Sequence, residues 1–64
     1  MDAIEMLDQL RKDWDVEVYT HPDSGDAVVE LYELDERDSM CGRYVEPRLP
    51  TAIARAWAGE PADG

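Results

Sequence analysis

Asp13-Trp14-Asp15-Val16-Glu17-Val18-Tyr19 alternates polar and apolar residues without a break. Successive side chains of an extended chain point to opposite sides, so a two-residue period reads as a half-buried strand. Trp14, Val16 and Val18 are expected to face inward, with Asp13, Asp15, Glu17 and Tyr19 outward. Such a strand needs partners on its apolar side, and the flanking sequence supplies them.

On the N-terminal side, Asp2 is a good helix cap and Glu5 follows three residues later, which places two carboxylates at the positive end of a helix dipole. Ala3, Met6, Leu7 and Leu10 recur at spacings of three and four, and Trp14 continues the series. The spacing predicts an amphipathic helix over residues 3–12. On the C-terminal side, Thr20-His21-Pro22-Asp23-Ser24-Gly25-Asp26 gathers turn-forming residues and predicts a hairpin loop. Ala27 to Leu34 is rich in β-branched and aromatic residues and predicts the returning strand, with Val29 and Leu31 inward and Glu30 and Tyr32 outward.

Residues 35–42 have no clear period and read as a loop, which leaves Arg43-Tyr44-Val45 as a short third strand ended by Pro47. Pro50 and Thr51 mark a second helix start, Ala52 to Ala58 favour helix, and Gly59 stands where a C-terminal cap belongs. Leu49, Ile53, Ala56 and Trp57 form its expected buried stripe, and Trp14 and Trp57 are both expected in the core. The fold class is α+β, in the order α-β-β-β-α: a small three-stranded antiparallel sheet with two helices packed on one face. Residues 1–59 form one acidic domain, and residues 60–64 are expected to be a flexible tail.

The chain has 64 residues and a formal net charge of −10, from 16 acidic and 6 basic side chains. This length allows one modest core. An apolar content of 44% is enough to fold. A protein this acidic is repelled by phosphate backbones and anionic membranes, so direct nucleic-acid and membrane binding are not expected. Cys41 is the single cysteine, so no internal disulfide forms and a reducing, cytoplasmic setting is expected. The opening MDAIEMLDQL has no basic region and no unbroken apolar run, so neither a signal peptide nor a membrane span is expected.

The charge is regional. Residues 1–12 carry a net −1 and residues 39–64 a net zero, whereas residues 13–38 hold ten acids against Arg37 alone. Acids repeated along one strand face, with Glu30 alongside, repel one another and work against the compact state. Duplex DNA carries one charge per about 1.7 Å of axis, so nine net charges match about 15 Å of duplex. Exposed tyrosines among charges are frequent anchors of protein interfaces, and a partner's arginines can pair with carboxylates and stack on the rings. The expected partner-binding set is therefore Asp13, Asp15, Glu17, Tyr19, Asp23, Asp26, Glu30, Tyr32, Glu33, Asp35, Glu36 and Asp38. Replacing Asp15, Glu17 and Glu30 together by lysine is expected to abolish binding and leave folding intact.

In size, acidity and the confinement of charge to one face, the chain resembles phage-encoded DNA-mimic inhibitors, anti-CRISPR proteins among them. The resemblance implies a stoichiometric inhibitor that blocks the DNA-reading surface of a type I CRISPR surveillance complex, a restriction enzyme or a similar basic DNA-binding partner. The element order also resembles the double-stranded-RNA-binding domain. That family contacts phosphates with a lysine cluster at the start of its last helix, whereas this chain reads Leu49-Pro50-Thr51-Ala52-Ile53 there, with Arg48 and Arg55 nearby. The ending Leu49-Pro50-Thr51-Ala52-Ile53 is also similar to small antitoxin and phage accessory domains. That similarity keeps open a structural module that dimerises through a sheet edge. High-salt adaptation is the third reading, and it predicts acids spread evenly.

No catalytic group, cofactor or metal is expected. His21 with Asp23 and Asp26 offers at most a loose cation site, and Asp35, Glu36 and Asp38 lack the spacing of a calcium loop. Cys41 and His21 have no placement that pairs them, and Ser24 and Ser39 lack a strained elbow. The expected state is a monomer rather than a homodimer.

Overall fold

In the computed structural model, which describes residues 1–63, Asp2 caps the first helix as its position suggests. Its Oδ1 accepts the Glu5 N–H at 2.9 Å, and α1 runs over Ala3–Asp13. Trp14 ends the helix by donating its N–H to the Leu10 carbonyl, and in the same residue the backbone turns extended and begins β1 (Trp14–Thr20). No residue separates helix from strand, so α1 folds straight back over the inner side of β1.

The first hairpin closes through the predicted turn. His21 donates its N–H to the Asp26 carbonyl, and Gly25, at φ 77°, donates to the His21 carbonyl. β2 (Ala27–Glu33) pairs antiparallel with β1, in a register that sets Val16 against Leu31 and Val18 against Val29. The sheet order is β1-β2-β3.

The third strand departs from expectation. β3 spans Glu36–Glu46, so the predicted loop at 35–42 is almost entirely strand, and the hairpin turns on Leu34 and Asp35. Asp35 adopts φ 63°, a left-handed conformation that aspartate tolerates better than most side chains. The period is hidden because pairing with β2 is irregular: Leu31 faces Gly42, Tyr32 faces Met40 and Glu33 faces Glu36. Extra residues on β3 break the alternation that marks a strand in sequence, while the backbone still hydrogen-bonds.

α2 (Leu49–Ala58) has proline in its first turn and ends at Gly59, at φ 71°. Gly59 donates to the Ala56 carbonyl and Glu60 to that of Arg55, the two bonds of a Schellman cap. The core joins Leu10, Val29, Leu31, Tyr44, Ala52, Ile53 and Ala56, with Met6, Leu7, Trp14, Val16 and Val18 packed against it. These residues place both helices on one side of the sheet. Trp57, expected in the core, is 44% exposed, and Leu49 also lies at the margin. The small side chains Ala52 and Ala56 centre the buried stripe, which leaves positions 49 and 57 at its rim.

Residues 60–63 have partners that sequence alone did not suggest. The Tyr44 hydroxyl donates to the Glu60 carbonyl at 2.7 Å, and Asp63 donates its N–H to the Arg43 carbonyl at 2.7 Å. Asp63 Oδ2 accepts the Val45 N–H at 2.8 Å. Gly64, the last residue of the expected tail, lies outside the described residues.

Candidate protein-binding face

The side of the sheet without helices carries three cross-strand rows. Asp15 faces Tyr32, which faces Met40; Glu17 faces Glu30, which faces Arg43; Tyr19 faces Val28, which faces Val45. Val28 is fully buried on this open side, between neighbours from both flanking strands.

Glu30, on the central strand, is only 8% exposed. Its Oε2 accepts from the Tyr19 hydroxyl at 2.8 Å and from Arg43 Nε at 3.3 Å, and its Oε1 accepts from the Tyr32 hydroxyl at 2.6 Å. Burial pushes its carboxyl up, but the bonds from Tyr32, Tyr19 and Arg43, with the charge of Arg43, outweigh burial and hold it below its ordinary value. The carboxylate is thus ionised and saturated. The same bond to Glu30 pushes the Tyr32 hydroxyl up. Glu30 was expected as an exposed acid; it instead organises the two tyrosines from beneath.

Glu17 is paired with Arg37, whose guanidinium lies 5.5 Å from the Tyr32 ring centroid. Arg37 therefore reaches from β3 across Tyr32 to β1. Asp13 does not share the outward face of β1, since it is the last residue of α1 and lines a cleft on the helix side. Asp15 is half-buried on the open face, and Glu33, Asp35, Glu36 and Asp38 are exposed around the second hairpin. Among the described residues, none of these five acids has an ion-pair partner closer than 4.0 Å. Glu33 and Glu36 face each other directly across that hairpin.

Asp23 and Asp26 sit at the opposite end of the sheet, in the first turn. There His21 Nδ1 accepts N–H bonds from Asp23 and Ser24, so the ring supports the turn. Among the described residues, no group of three or more His, Cys, Asp or Glu side chains converges on a point that could hold a metal ion. Among the described residues, no helix is long and apolar enough to cross a membrane.

Sequence alone does not single out Arg55 as an organising residue, because its partners arrive from β3 and from the segment that follows α2. It makes a two-bonded fork to Asp63 at 2.7 and 2.9 Å, bonds Glu46 at 2.8 Å, and lies 5.4 Å from the Tyr44 ring centroid. No known protein family, curated protein or solved structure matches this chain.

Proposed function

We propose that this domain binds and blocks a basic DNA-binding protein, presenting carboxylates where that protein expects phosphates. The observation that carries the reading is the group of unpaired acids at the second hairpin, Glu33, Asp35, Glu36 and Asp38, with Asp15 beside them on the open face. Repulsion at this hairpin works against folding, and a basic partner would relieve it. The acids do not converge on a point, which fits a spread array of arginines and lysines better than a single ion.

Tyr19 and Tyr32 extend the contact surface. Each hydroxyl is committed to Glu30; the Tyr19 ring is left for stacking against a partner's guanidinium groups, whereas the Tyr32 ring already carries Arg37 at 5.5 Å from its centroid. The molecule measures 29 × 29 × 18 Å. Duplex of that length carries about 17 charges, so the nine net charges of residues 13–38 amount to about half the duplex density. Binding would therefore rest on fixed carboxylate positions as well as on total charge. In this reading the chain performs no catalysis and works one to one as an inhibitor of a complex such as a type I CRISPR surveillance assembly.

The test is a mobility-shift assay in which stoichiometric protein competes with target duplex for purified DNA-binding defence complexes. Displacement that weakens with salt, and that is lost on replacing Glu33, Glu36 and Asp38 by lysine, is the expected result. Equal displacement by that variant would overturn the assignment of the surface. A partner with no nucleic-acid role, bound equally at low and high salt, would overturn the mimicry.

A further inference from the structure

On the helix side, away from the acidic hairpin face, a cleft of about 320 Å³ opens between α1, α2 and the sheet. Trp14, Trp57 and Tyr44 line it, together with Gln9 and Cys41, and Asp13 is its single charged residue among those described. The volume lies within the range of small-molecule sites. Three features of the cleft point to a ligand.

The first is Trp57, which stays 44% exposed yet is fixed, because its Nε1–H donates to Gln9 Oε1 at 3.1 Å and so ties α2 to α1. Its polar edge is satisfied and its ring is left available. The second is Asp13, an exposed acid on the last residue of α1, where the negative end of the helix dipole disfavours it. No basic side chain pairs with it among the described residues. The third is that, among the described residues, no cationic side chain lines the cleft, although Arg11 and Lys12 lie in the same helical turn as Asp13, and the net charge of −10 favours a cation at long range.

We propose that this cleft binds an organic cation, an alkylammonium or guanidinium group, with aromatic faces of Trp14 and Trp57 around the charge and Asp13 as its counter-ion. Tyr44 already shows this chemistry next door, with the Arg55 guanidinium at 5.4 Å. An anion would be repelled by Asp13. A neutral apolar ligand would strip water from Asp13 and Gln9 and return no hydrogen bond. A bare metal ion would find one carboxylate and no second strong ligand. The proposal is independent of the mimicry reading, because it uses none of the hairpin acids.

The two tryptophans of the chain both line the cleft, so intrinsic fluorescence reports on it directly. At constant ionic strength, the protein is titrated with choline, with its neutral carbon isostere 3,3-dimethylbutan-1-ol, and with a lysine-containing peptide and its acetyl-lysine counterpart. A saturable change with a cation and none with its neutral partner is expected. Choline binding assigns a free ammonium ligand, and peptide binding without choline binding assigns a side chain of a partner protein. Asp13→Asn is expected to weaken binding about tenfold without lowering the melting temperature, and Trp57→Leu to weaken it further. Equal binding of the neutral isosteres, unchanged binding by Asp13→Asn, or no saturation by either cation overturns the site.

Discussion

Glu17 and Glu30 face each other across the first hairpin, two carboxylates in directly paired positions on the open side of the sheet. Like charges so placed destabilise a sheet, and here each has its own arginine from β3. Arg37 reaches Glu17 over the Tyr32 ring, while Arg43, the cross-strand neighbour of Glu30, bonds it from the other side. The third strand thus neutralises the middle of the face. Glu33, Asp35, Glu36 and Asp38 at the second hairpin have no such arginine, and they are the surface proposed for the partner.

Glu30→Lys should destabilise the domain severely, whereas Asp15→Lys alone should shift stability by no more than about 0.5 kcal/mol. The lysine would leave two tyrosine hydroxyls without their acceptor and set a second cation beside Arg43. Breaking a buried charge pair costs about 3 kcal/mol or more, against a total stability of about 3–10 kcal/mol for a chain of this size. The expectation that lysine at 15, 17 and 30 together leaves folding intact is revised accordingly. Urea unfolding followed by circular dichroism checks the point; a Glu30→Lys midpoint equal to wild type would show that the network does not hold the sheet.

Asp63 should make stability pH-dependent in a window set by its own carboxyl. The Arg55 fork and the Val45 N–H lower its pKa from 3.8 to about 2. A carboxyl whose folded pKa is depressed contributes in full above its unfolded pKa and loses that contribution as pH falls through the folded one. Asp63→Asn keeps an oxygen for the Val45 N–H and removes the charge facing Arg55. The variant should be less stable than wild type at pH 7, and the gap should narrow between about pH 4 and pH 2. Urea midpoints measured down the acid limb test this, and a gap constant to pH 2 would rule the ion pair out as its source.

The parts of the fold legible in the sequence are those whose physics is local. Asp2, the Ala3–Leu10 spacing, the Trp14–Tyr19 alternation, the turn at His21–Asp26 and the Gly59 cap each act within a few residues and appear where expected, Asp13 alone falling in the helix instead of the strand. β3 was hidden because its irregular pairing removes the period, and Trp57 because a helical stripe does not show where the neighbouring helix ends. Glu30 is the instructive residue of the site. Its outward direction follows from alternation, but its burial depends on Tyr19 and Tyr32 closing over it from eleven and two positions away. Arg55 likewise gains its role from residues that only tertiary structure brings near.

Gly42→Ala should cost about 1–3 kcal/mol through overpacking. A Cβ at this position would lie 3.1 Å from Cε2 of Tyr44 and 3.4 Å from its hydroxyl oxygen. The ring cannot easily move, because its hydroxyl is bonded to the Glu60 carbonyl and Arg55 sits over it. Tyr44→Phe removes the hydroxyl and its tether, so Gly42→Ala should cost less in that background than in the wild type. A double-mutant cycle measures the coupling, and strictly additive costs would place the strain elsewhere.

The protein should be monomeric, and the two edges of its sheet explain why. At its C-terminal end the outer edge of β3 is covered by the chain itself, where Asp63 exchanges hydrogen bonds with Arg43 and Val45, and the rest of that edge follows the irregular, acid-rich hairpin. The outer edge of β1 receives no such bond from the described residues and is open to another strand. Antiparallel self-pairing centred on Glu17 would set Glu17 against Glu17, and a shift by two residues in register would bring Asp15 against Glu17. Either arrangement sets carboxylates against each other, with Arg37 offsetting Glu17 only in part and Asp15 left unpaired, so a second copy is disfavoured at this edge. Light scattering should give the 7.3 kDa monomer at low salt. Asp15→Thr with Glu17→Thr removes the repulsion, keeps β propensity and should permit concentration-dependent dimers. A wild-type dimer, or a double variant that stays monomeric at high concentration, would show that something other than these charges governs the open edge.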